Sequence, residues 1–167
     1  MAINDLSPAK CTGYSNVVIT CGTNDLRSSN PDITGLSDAL FLKVRQIRLV
    51  NQHAKILVMP VLPTRDYDMN RNIMRFNCRV FQLTKCLRDS MVTMPCLLDF
   101  LDSTGRLAVK FTRRDAPNDG IHLGPLGISQ YVRIIKNTIF NFDRNVRVQQ
   151  GTRSRSGNTG SRQVKPV

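Results

Sequence analysis

Two short polar stretches hold the residues able to do chemistry: Gly22-Thr23-Asn24-Asp25 and Asp119-Gly120-Ile121-His122. Acyl transfer needs a nucleophile, a base to take its proton, a group that orients the base, and donors aimed at the developing oxyanion. His122 has the chemistry of the base. Asp119, three residues earlier, can reach the ring from the same turn, fix its tautomer and stabilise the imidazolium. The Asn24 side-chain amide and the backbone N–H near Gly22 are the oxyanion donors, a contact whose removal costs about 2.7–4 kcal/mol in the transition state. Nothing in this chemistry calls for a metal or a cofactor. Each stretch also has a plainer use: Asp-x-x-His pairs cap helices, and Gly-x-Asn-Asp is an ordinary turn. Their order, each at the expected end of an α/β unit, is what joins them.

The segment 16–25 organises the elements that must position these groups. Val17, Val18 and Ile19 are β-branched and contiguous, so a buried parallel strand covered on both faces is expected, stopping at Gly22. Open α/β sheets bind ligands at the carboxyl ends of their strands. Residues 1–15 are polar, contain Pro8 and Gly13, and read as an irregular lead-in.

Beyond the turn, Ser29 or Asn30 is the expected cap of a helix with Pro31 in its first turn. Its apolar stripe is Ile33, Leu36, Leu40, Val44 and Ile47, running to about His53, which reads as a partner of the helix C-terminal dipole. Residues 55–63 form the second strand, its pairing limited by Pro60 and Pro63. A second helix carries Ile73, Phe76, Val80, Leu83 and Leu87 inward, with Arg71, Arg75, Arg79 and Arg88 on a solvated face in preference to a phosphate grip. Residues 94–100 are the third strand expected, followed by a loop with Gly105, Arg113, Arg114 and Pro117. Gly124-Pro125 opens the last helix, whose inward face is Leu126, Tyr131, Ile134, Ile135, Thr138 and Phe142. Alternating strands and helices predict a three-layer α/β/α domain with a parallel sheet over 16–143. Three strands make a thin sheet, so flanking strands outside this sequence are expected.

The bulk composition bounds the function. At 167 residues and 41% hydrophobic the chain is one soluble domain with a real core. Net charge is +12, pI is near 10.2, and every acid is aspartate. Six cations follow Asp143 with no acid among them, so residues 144–167 read as a disordered basic tail. An anionic partner, RNA or DNA held by that tail, and a merely solvated basic face are both open. Five cysteines without metal-binding spacing argue against structural zinc and a disulfide framework, and for a reducing cytosolic or nuclear compartment. No stretch is apolar enough for a membrane span, and no signal peptide is read at the start. The absence of a Gly-rich phosphate loop excludes the common nucleotide-binding motifs and counts against a non-catalytic, flavodoxin-like small-molecule binder.

With these residues in place, the chain resembles the SGNH (GDSL-type) hydrolases, esterases and lipases on a flavodoxin-like fold. Gly22-Thr23-Asn24-Asp25 resembles their third sequence block and Asp119-Gly120-Ile121-His122 their fifth, with Leu123-Gly124-Pro125-Leu126-Gly127 like the usual continuation into the last helix. The resemblance covers about 16–142. It implies ester hydrolysis with His122 and Asp119 as catalytic partners, Asn24 and Gly22 at the oxyanion hole, and an acyl-ester substrate. The family's Gly-Asp-Ser nucleophile block has no counterpart: neither Ser7 nor Ser15 stands in that context. A truncated chain that carries the later part of the domain, inactive alone, is therefore expected. Esterase-like domains paired with RNA-binding segments also resemble those of some retrotransposons, and the basic tail gives a second expectation of that origin.

Overall fold

The computed structural model describes residues 2–113 and 122–155, with side chains through residue 141. Three parallel strands, β1 (Asn16–Ile19), β2 (Lys55–Val58) and β3 (Val92–Thr93), are ordered β1-β2-β3. Asn16 is in register with Lys55 and Ile19 with Val58, while Ile56 pairs with Val92. Helices α1 (Ile33–Val50) and α2 (Tyr67–Cys86) link them, and α3 (Pro125–Arg155) closes the chain. This is the mixed α/β architecture with a parallel sheet that strand-helix alternation predicts.

Strand alternation sorts the core into two layers. Ile56 and Val58 of β2 face one way, with Val17 and Ile19 of β1, and pack under Leu40, Val44 and Ile47 of α1 and Ile73, Phe76 and Val80 of α2. Leu57 and Met59 face the other way, against Phe100, Leu107 and Phe111 and the inner side of α3 at Tyr131, Ile134, Ile135 and Ile139. Only β2 is covered on both faces. β1 is an edge strand whose second face, Asn16 and Val18, is exposed, so the run of valines is half-buried and not enclosed as expected. α3 lies over β2, the middle strand, and its Thr138 and Ile139 border Asn16 and Val18 of β1 without burying them.

Several local expectations shift for identifiable reasons. Asp32, and neither Ser29 nor Asn30, caps α1: its carboxylate accepts from the Gly35 N–H at 2.9 Å, three residues on, and Pro31 stays outside the helix. α1 ends at Val50, so His53 lies beyond it; Arg48 serves the C-terminus instead, donating to the carbonyls of Asn51, Gln52 and Ala54 and pairing with Asp89 at 2.7 Å. The third strand is Val92–Thr93 and not 94–100. Pro95 has no N–H for the ladder, and Leu98–Phe100 coils into a 3-10 turn that buries Phe100 and leaves Leu98 exposed.

The lead-in is not irregular. Two 3-10 turns, Ile3–Asp5 and Pro8–Cys11, lay Ile3 and Leu6 into the core, and the Asn51 amide ties this segment down through the carbonyls of Cys11 and Tyr14. The loop after Phe100 is likewise built. Leu101 and Leu107 pair as an isolated bridge, and Val109–Phe111 is another 3-10 turn. Arg79 pairs with Asp38 across α2 and α1 at 2.9 Å, while Arg71 and Arg75 face solvent. The backbone of α3 stays helical past Asp143 to Arg155, where a disordered tail was expected; residues 156–167 and the basic side chains after 141 lie outside the described residues. On α3's expected inward face, Leu126 is exposed instead and Phe142 is outside the described side chains.

Candidate active site

Chain direction decides where the polar stretches go. Immediately past β1, Gly22 takes φ +106°, a conformation that strains any L side chain, and a Cβ there would stand 3.1 Å from Val61 Cγ2 and 3.4 Å from Phe76 Cε1. The chain can therefore turn against the α2 layer only with glycine at this point. Its carbonyl accepts from the Leu26 N–H at 3.1 Å, which closes the turn into the 3-10 helix Asp25–Arg27. Asn24 precedes that helix and uses its carbonyl, not its side chain, to accept from Arg27 N–H. Among the described residues the exposed Asn24 side chain makes no hydrogen bond. Asp25 is structural: its carboxylate accepts from the Ile3 N–H at 3.2 Å.

Asn24 borders a cavity of about 210 Å³ at the carboxyl ends of β1 and β2, with Thr20, Cys21 and Thr23 from the first, Pro60, Val61 and Leu62 from the second, and Tyr131 from α3. Two of these groups stay neutral at ordinary pH. Burial pushes the Cys21 thiol up to about 11, with the Asp25 carboxylate adding to the effect. Burial likewise pushes the Tyr131 phenol up to about 12, with Cys21 contributing. A thiol held protonated is a poor nucleophile by itself.

The segment after β2 lacks a strand partner, and α2 holds it instead. The Asn77 side chain accepts from Val61 N–H at 2.9 Å and donates to Val61 carbonyl at 2.8 Å; Asn70 does the same for Thr64 at 2.6 and 2.7 Å. Asn77 thereby fixes Val61 in the cavity wall, and Asn70 fixes Thr64 three residues on. Sequence reasoning missed them; the signal was an amide at 70 and 77 on a helix whose inward face is otherwise apolar apart from Thr84.

His122 sits three residues before α3. Its carbonyl accepts from the Arg113 N–H at 3.3 Å, and Thr112 pairs with Leu123 in an antiparallel bridge. Gly124 follows because a Cβ there would stand 2.5 Å from the Thr112 carbonyl oxygen. Tyr131 lines the cavity at the carboxyl ends of the strands, whereas Thr138 and Ile139 sit beside Asn16 and Lys55 at the amino ends. α3 thus runs antiparallel to the sheet, and its start lies toward the carboxyl rim, the side of Gly22 and Asn24. His122 is exposed and is not among the residues lining the 210 Å³ cavity. Asp119 lies outside the described residues, so its pairing with His122 is not described. Among the described residues no cluster of His, Cys, Asp or Glu could hold a metal, and no helix is long and apolar enough to cross a membrane.

Comparison with known proteins yields no matching family model and no matching characterised sequence. Solved structures do match. An acetyl esterase mutant, solved with acetate ion, superposes with TM-score 0.66 at 15% identity over 87% of this chain and 70% of its own. A GDSL-like lipase from Bacteroides thetaiotaomicron gives 0.57 at 20% identity over 76% and 62%, and a Streptococcus pneumonia protein provisionally described as a platelet activating factor gives 0.62 at 20% over 74% and 59%. The chain has the fold of the GDSL-like esterases and lipases. It spans 59–70% of the length of these neighbours. In that esterase-like fold the observed cavity lies at the carboxyl ends of the strands, the usual position for ligands in an open α/β sheet.

Proposed function

We propose that this chain is the later part of a GDSL-type ester hydrolase domain, carrying the base, its orienting acid and oxyanion donors but no nucleophile. In this assignment His122 takes the proton of a serine hydroxyl supplied from outside these 167 residues and returns it to the leaving alcohol, while Asp119 holds the imidazole. The Asn24 amide and the Gly22 backbone N–H stabilise the oxyanion. The observation that carries the proposal is the Asn24 side chain, uncommitted among the described residues and bordering a cavity at the carboxyl rim of an esterase-like sheet. The open edge of β1 gives a place for a further strand bearing the serine.

The purified chain, incubated with a short nitrophenyl ester, is expected to show no turnover; turnover abolished by His122→Ala would place a nucleophile within the chain and sink the assignment. Joined to a preceding segment that carries a Gly-Asp-Ser block, it is expected to hydrolyse the ester, with His122→Ala abolishing turnover. Asn24→Ala is expected to lower kcat by about 10²–10³.

A further inference from the structure

A second hollow, an open groove of about 390 Å³, lies over the ends of β2 and β3, divided from the Asn24 cavity by Pro60 and Val61. One side is α2 and the other is the segment that leaves β3. Met94 of that segment is half-buried and packs against the core cluster containing Ile73 and Val80 of α2, so the core joins the two sides. The only lining side chains with nitrogen or oxygen, Asn70 and Asn77, give their amides to the backbone of Thr64 and Val61. The heteroatoms left are four sulfurs. Met74 and Cys78 stand on one side, one turn apart on α2, a spacing that puts their Cβ atoms about 5–6 Å from each other. Met94 and Cys96 stand on the other, two residues apart and both lining the hollow. Met74, Cys78 and Cys96 are exposed, so an ion can reach them from solvent.

A lining whose free donors are all sulfur selects a soft ion. We infer that the groove is a copper(I) site, with the Cys78 and Cys96 thiolates and the Met74 and Met94 thioethers as its ligands. Counted by His, Cys, Asp and Glu alone, the place falls short of a metal site, and the two thioethers complete the set. Thiolate and thioether ligands together suit copper(I). Calcium and magnesium need oxygen ligands, and a structural zinc site takes four thiolate, imidazole or carboxylate ligands, of which the groove supplies two. The flexible methionine side chains can close on the ion from both walls. On binding, two S–H bonds break and two Cu–S bonds form in their place, two protons pass to solvent and copper stays monovalent. The centre then carries one net negative charge, in a chain of net charge +12. The site is independent of the ester chemistry assigned to Asn24 and His122.

The test titrates the whole reduced chain with copper(I) under argon, against a chromophoric copper(I) chelator. Proton release, methionine-methyl NMR and X-ray absorption at the copper edge are read alongside. One tightly held ion, two protons released, a sulfur-only shell, and methyl shifts at Met74 and Met94 with Met59 and Met69 unmoved are expected. Cys78→Ser and Cys96→Ser, both at exposed positions, should each weaken binding by more than the roughly hundredfold that loss of an outer-shell partner can cost. Met74→Leu and Met94→Leu, which conserve volume, should each weaken it about tenfold. Cys86→Ser, at the end of the same helix, should leave it unchanged. Unfolding midpoints of the metal-free variants that match the native chain separate a lost ligand from a lost fold. Copper held as well by the double variant Cys78→Ser and Cys96→Ser, nitrogen or oxygen in the copper shell, or native affinity in both leucine variants would each overturn the inference.

Discussion

Two hollows share the wall at Pro60 and Val61, and their asparagines are used in opposite ways. At the groove, Asn70 and Asn77 are fully engaged with backbone, as half-buried and buried amides must be, and the surface they leave is greasy. At the smaller cavity the exposed Asn24 side chain hydrogen-bonds to no described residue, while its neighbours Cys21 and Tyr131 keep their protons. The larger hollow therefore offers area and sulfur without free amides, and the smaller one offers directional contacts with little area.

The sharpest way to break this contrast is to exchange the asparagines' roles. Asn70→Ala strips the buried Thr64 N–H and carbonyl of their partners and is expected to lower unfolding free energy by about 3 kcal/mol, read as a shifted urea midpoint. A loss under about 1 kcal/mol would show that Asn70 is not structural.

Next in size is the thiol. Raising Cys21 from its ordinary 9.0 to about 11 reduces its thiolate at pH 8 by about a hundredfold. Alkylation of Cys21 should lag behind that of exposed Cys78, Cys86 and Cys96 by a comparable factor, followed by mass spectrometry of the digested protein. Because the folded state holds this proton more tightly than the unfolded chain, the associated stability is full below pH 9.0 and is lost as pH rises through about 11.

Gly22→Ala comes third, at about 2 kcal/mol for a strained backbone and the crowded Val61 contact; thermal unfolding that does not move would mean the turn relaxes freely. Smallest is Asn24→Ala, within about 0.5 kcal/mol of the native stability in the same urea experiment. An equal loss at Asn24 and Asn70 would erase the distinction between the two hollows.

The helical stripes were legible in sequence because burial follows a 3.6-residue period that tertiary packing did not overrule: Ile33, Leu40, Val44 and Ile47 are buried as spaced. The third strand was misplaced because an apolar run alone does not separate a strand from a coiled turn, and Pro95 decides the matter only once the ladder beside it is known. Leu107 and Phe111 were missed as core because their burial comes from contact with α3 and Tyr131, far along the chain. Gly22 as the turn residue and Asn24 at the carboxyl end of the strand were legible from residue type and position after a strand. Tyr131 was read as core alone: it does pack edge-on against Phe100 at 6.2 Å, but the same ring also walls the cavity.

By itself the sequence determined the element order, the parallel sheet and the turn that must carry glycine at 22, since each follows from side-chain period, β-branching or backbone freedom within a few residues. Only the tertiary structure decided that β1 is open on one face, that α2 holds the Val61–Thr64 segment through two amides, and that a polar cavity and an apolar groove meet at Pro60. Those are contacts between residues distant along the chain, and local pattern carries no information about which distant partners will meet.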